Sequence, residues 1–87
     1  MVGDPRIVIE VLSPSTARID RREKAVNYRE IPSLEELVLV AQKSARVMVY
    51  RRAEEWKRIV LDSPEDALEL RSIGLVLTVA EIYEGLA

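Results

Sequence analysis

The sequence contains no cysteine, no histidine and no phenylalanine, and only three glycines in 87 residues. Without cysteine there is no disulfide framework. Without histidine there is no imidazole-ligated zinc site, and nothing of that kind to activate a serine nucleophile. Any bound metal would be held by oxygen ligands, which suits Mg²⁺, Mn²⁺ or Ca²⁺. The lack of phenylalanine leaves the core to Val, Ile and Leu, which favour strands over a helical bundle. No apolar run approaches the ~20 residues of a membrane span, and "MVGDPR" has no basic-then-apolar leader. These absences lead to the expectation of a cytoplasmic protein with no membrane partner.

What is present fits one small domain spanning residues 1–87, with 48% apolar and 32% charged residues and a net charge of −2. That charge does not advertise nucleic-acid binding. Yet ten of the thirteen basic residues are arginine, with clusters at Arg18, Arg21 and Arg22 and at Arg51 and Arg52. Guanidinium groups suit phosphate recognition, and equally a surface of mixed ion pairs.

Along the chain, "RIVIEVL" reads as a buried strand over about 6–12, and Pro14 ends it. A charged, helix-compatible stretch runs from Ala17 to about Glu30 and stops at Ile31-Pro32-Ser33. "LVLVA" at 37–41 has the unbroken apolar pattern of a strand covered on both faces. "RVMVYRR" (46–52) alternates like a strand with one wetter face, and "WKRIVLD" (56–62) suits a hairpin partner. "ALEL" and "GLVLT" are short strands around a bend, followed by a closing helix at "VAEIYEGL". A strand, a crossover helix and a doubly buried strand predict a parallel pair, with the later hairpins extending the same sheet. The fold class is therefore α/β with a mixed sheet and a crossover helix.

Glu10 interrupts the first apolar run and shares a strand face with Val8 and Leu12. A carboxylate there costs several kcal/mol unless it is paired, protonated or bound to a metal. Asp20, Lys24 and Tyr28 follow at i, i+4 and i+8 and so share one helical face. Two readings remain open on the residues alone: a convergent acid, ammonium and phenol, or an ordinary ion pair on a solvated surface. Trp56, Tyr50 and Met48 read as packing residues, and Ser13 and Ser15 as turn and cap residues.

The string "IVIEVLSPSTARIDRREKAVNYREIPSLEELVLVAQ" resembles the signature of the Uma family, restriction-endonuclease-like proteins with the PD-(D/E)XK fold. The matching features are the strand carrying Glu10, then Ser13-Pro14-Ser15-Thr16, then Asp20, Arg21, Lys24 and Tyr28, then Ile31-Pro32-Ser33. "RVMVYRR" and "GLVLTVAEIYEGL" resemble the family's C-terminal half, so the likeness covers nearly the whole chain. It implies phosphodiester hydrolysis in DNA with Mg²⁺ or Mn²⁺ as cofactor. It also implies Glu10 as metal ligand and catalytic acid residue, Lys24 as catalytic cation, and Asp20 and Tyr28 in support. The family's usual lysine position falls at Leu12 here. Relatives are longer and carry their first metal-binding aspartate on an earlier strand. The chain is thus expected to be the C-terminal half of a nuclease-like core, truncated at the N-terminus, with Asp4, the one acid upstream of Glu10, as the second candidate metal ligand. Two alternatives accompany that reading: a catalytically inactive interaction module, and an arginine-based nucleic-acid grip. An uncovered apolar face further predicts a homo-oligomer.

Overall fold

The computed structural model describes residues 5–12, 27–42 and 45–86. Strand β1 (Ile7–Leu12) pairs in parallel with β2 (Glu36–Ala41), and β2 pairs antiparallel with β3 (Val47–Arg51). A three-residue strand, β4 (Ile59–Leu61), adds antiparallel to β3, so the sheet order is β1-β2-β3-β4. The parallel β1–β2 pair agrees with the expectation from the crossover pattern. Of the segment between them, Asn27 and Tyr28 are helical and Arg29 and Glu30 begin a turn, while residues 13–26 lie outside the described residues.

β5 (Ala67–Leu70) and β6 (Leu75–Thr78) do not extend this sheet, contrary to the sequence expectation. They form a separate two-stranded hairpin, closed by a turn in which Gly74 takes φ +67. Leu68 and Leu70 leave the hairpin's inner face 1% and 2% exposed, while Ala67 and Glu69 point outward. The hairpin therefore packs face-on, as a lid over the sheet. Helix α1 (Val79–Leu86) completes that layer. Its start is a reciprocal cap: Glu81 N–H donates to Thr78 Oγ1 at 3.1 Å, and Glu81 Oε1 accepts from Thr78 N–H at 2.9 Å. The Tyr83 hydroxyl ties the helix to the β2–β3 turn, donating to Ala41 O and accepting from Arg46 N–H.

The lid explains a second departure. Alternation in 46–52 suggested one wetter face, but β3 is buried at every position. On one side Val47 and Val49 join Val38, Val40, Leu68, Leu70 and Val79 beneath the lid. On the other, Met48 and Tyr50 join Leu12, Leu34, Leu37 and Leu39, with Val8, Tyr28, Ile31 and Trp56 at the margin. The four-stranded sheet thus carries a buried apolar cluster on each face, and truncating a side chain such as Leu37 or Leu39 to Ala would cost about 3 kcal/mol.

Candidate active site

Glu10 sits where the period-2 reading put it. It pairs across the parallel ladder with Leu39, between Val8 and Leu12, on the face that bears the Leu37–Leu39–Met48 cluster. It is half-buried there, and Leu12 beside it is 1% exposed. Tyr28 packs against the same cluster, so the structure brings the acid and the phenol to one side of the sheet. Asp4, Asp20 and Lys24 lie outside the described residues. Among the described residues no group of three potential metal ligands gathers. What is described fits a single hard oxygen ligand, the donor type that Mg²⁺ and Mn²⁺ accept.

The most developed polar network was not anticipated. Glu36 opens β2 in phase with Val38 and Val40, and Arg51 closes β3 in phase with Val47 and Val49. Antiparallel register sets the two opposite each other beneath the lid, where they are 2% and 7% exposed. Arg51 Nε donates to Glu36 Oε2 at 3.1 Å, and Arg51 Nη2 donates to Glu69 O in the lid at 2.7 Å. Glu36 also accepts from Arg71 N–H at 3.1 Å, from Ser72 N–H at 2.9 Å and from the Ser72 hydroxyl at 2.8 Å. Burial is the largest single influence on the Glu36 carboxyl and pushes its pKa up. The hydrogen bonds from Ser72, Arg71 and Arg51 together outweigh it and hold the group below its ordinary value of 4.5. The signal available in the sequence was the phase of two oppositely charged residues at facing strand ends.

Both guanidiniums of the Arg51–Arg52 pair are engaged within the fold. Arg51 is consumed by Glu36 and the lid, and Arg52 turns to the other face. Its Nε donates to Leu34 O at 2.8 Å and its Nη2 to Ile31 O at 2.7 Å, while the guanidinium lies 5.0 Å from the Trp56 ring centroid. Arg71 bridges Glu54 and Glu69 at 3.2 and 3.1 Å, which pushes its guanidinium pKa further up, the Glu69 hydrogen bond contributing most. A cleft of about 380 Å³ between Arg6, Glu35, Arg71 and Ser72 consequently carries mixed charge.

Known proteins share this sequence and fold. The chain is 40% identical over 84 residues to the uncharacterized protein slr1290 of Synechocystis, covering 95% of this chain and 44% of that protein. It is 41% identical over 51 residues to sll1609 of the same organism, covering 59% of this chain and 29% of that one. The crystal structure of a "putative nuclease belonging to DUF820" from Anabaena variabilis superposes with a TM-score of 0.78 at 20% identity, over 99% of this chain and 48% of that one. The chain thus spans less than half the length of each of these proteins. Residues 1–80 match the Uma2 family, described as "Putative restriction endonuclease", and the chain belongs to that family.

Proposed function

We propose that this chain carries part of the catalytic centre of a Mg²⁺- or Mn²⁺-dependent endonuclease acting on DNA. One observation supports this above the rest: Glu10 is held half-buried on an otherwise apolar strand face, inside the span that matches the nuclease family. A carboxylate in such a place is stabilised by pairing, protonation or metal binding, and a hard oxygen donor of this kind can hold a divalent cation. A bound cation of this kind lowers the pKa of its water and neutralises charge developing on a phosphate.

In this reading Glu10 supplies one ligand oxygen, Asp4 is the candidate for another, Lys24 stabilises the charged transition state, and Asp20 supports Lys24. Tyr28 orients a water or a phosphate oxygen from the cluster margin. Supercoiled plasmid incubated with Mg²⁺ or Mn²⁺ tests it. Nicking that disappears in Glu10→Gln and falls at least 100-fold in Lys24→Ala is the expected result. Equal nicking by wild type and Glu10→Gln would refute it.

A second reading rests on the exposed apolar side chains of Ile9 and Val11 on β1. Here the domain is a non-catalytic interaction module. Stoichiometric Mn²⁺ binding in calorimetry, abolished by Glu10→Gln, would exclude it.

A further inference from the structure

The connection from β3 to β4 is built against backbone preference. Glu55 and Trp56 both have positive φ, 56° and 59°, in a turn where glycine or asparagine would be relaxed. Left-handed pairs of bulky residues persist where the surroundings over-determine them. What the turn secures is the position of the Trp56 ring beside the Arg52 guanidinium, against the cluster that flanks Glu10.

Arg52 spends its charge in an unusual way. Among the described residues its partners are two main-chain carbonyls and an aromatic face. Both carbonyls belong to the segment that returns from the helical turn at Tyr28 into β2. That segment is a relay of tight turns: Ile31 N–H donates to Tyr28 O at 3.0 Å, and Leu34 N–H donates to Ile31 O at 3.1 Å. Arg52 then grips Ile31 O and Leu34 O from outside. The planar guanidinium can reach both carbonyls at once and stack on a ring, which an ammonium cannot do. Every residue in this chain of contacts with a large apolar side chain (Tyr28, Ile31, Leu34 and Trp56) packs on the same cluster as Val8 and Leu12, the strand neighbours of Glu10.

The geometry points to Arg52 as a positioning residue: stacked on Trp56, it pins the Tyr28–Leu34 segment and so fixes Tyr28 against the Glu10 face of the sheet. Its significance for catalysis rests on the endonuclease reading; its effect on Tyr28 does not.

NMR on the whole chain separates the two. Arg52→Lys keeps the charge and loses the fork. Its expected effects are amide exchange at least tenfold faster at Ile31 and Leu34, loss of nuclear Overhauser contacts from the Tyr28 ring to the cluster of Leu12, Leu34, Leu37 and Leu39, and unchanged exchange at Val38 and Val49. Trp56→Phe keeps a ring beside the guanidinium and is expected to retain the Tyr28 contacts. Unchanged Tyr28 contacts in Arg52→Lys, or acceleration spread equally to Val38 and Val49, would overturn the proposal. Where wild type nicks DNA, Arg52→Lys is expected to lower kcat about tenfold with KM within twofold. An unaltered kcat alongside displaced Tyr28 would remove Tyr28 from catalysis. Absence of wild-type nicking would defeat the endonuclease reading and leave the Tyr28 contacts to decide the role of Arg52.

Discussion

Glu36 shows how a charge is kept inside so small a core. Burial alone would drive its carboxyl toward the neutral form, yet four hydrogen bonds from Arg51, Arg71 and Ser72 reverse that tendency. Three of the four come from the turn that links the lid strands, so the carboxylate fastens the lid to the sheet. Removing it leaves the buried Arg51 guanidinium to the Glu54 carboxylate and the Glu69 carbonyl, and Glu36→Ala is expected to lose about 2–3 kcal/mol in urea unfolding. The pH dependence follows from the direction of the shift. A folded-state pKa below the unfolded 4.5 means the stabilisation is complete above pH 4.5 and is lost as pH falls through the lowered value. Thermal melts between pH 6 and pH 3 should therefore show a fall that Glu36→Gln flattens. A Glu36→Gln variant with the same slope as wild type would show that this carboxyl does not carry the acid sensitivity. The contrast with Glu10 is instructive. Glu10 was visible in the sequence because it broke an apolar run, whereas Glu36 and Arg51 sit at strand ends, where a charge breaks no pattern.

Elements were readable where side-chain period alone decides them. All six strands and the closing helix fall within a few residues of the segments chosen from alternation and turn residues, because buried Val, Ile and Leu at period two have one favourable arrangement. Tight turns were less readable. In Ala53-Glu54-Glu55-Trp56 nothing announces two left-handed residues, since neither is glycine or asparagine; tertiary contacts of Trp56 hold them there. That origin makes a direct prediction. Glu55 caps the short 3-10 segment Arg52–Glu54 with φ 56, and it does so without the Trp56 stacking role. Glu55→Gly should raise stability by about 0.5–1 kcal/mol, because relief of left-handed strain outweighs the extra freedom of glycine in the unfolded chain. Loss of stability in Glu55→Gly would show that the Glu55 side chain makes up for its backbone. Tyr83→Phe, by contrast, should lose about 1–2 kcal/mol by leaving the Ala41 carbonyl and Arg46 N–H without the hydroxyl that joins them.

How the elements stack was the least readable property, because pairing partners for short strands depend on which faces are left bare. The β5–β6 hairpin could have continued the sheet edge; it instead covers Val38, Val40, Val47 and Val49. On β1 that cover reaches Ile7 but not the residues beyond it. Ile9 and Val11 share the lid-side face through their pairs Val38 and Val40, yet they remain 52% and 45% exposed while those pairs are 0% and 1% exposed. Among the described residues β1 is also the terminal strand of the sheet order, and it carries neither lysine nor proline to discourage pairing. These features support self-association of the isolated chain through β1. An antiparallel pairing of two copies centred on Ile9 would set Ile7 opposite Val11 and Ile9 opposite its symmetry mate, all apolar on that face, with Val8 opposite Glu10 on the other. Centring on Glu10 would oppose two carboxylates, which disfavours that register. Light scattering at micromolar concentration is thus expected to return twice the chain mass. Ile9→Lys should give the single-chain mass with unchanged circular dichroism, and Val76→Lys, on the outer face of the lid, should not. A wild type that scatters as a single chain would end the proposal, and dimerisation persisting in Ile9→Lys would move the contact away from β1.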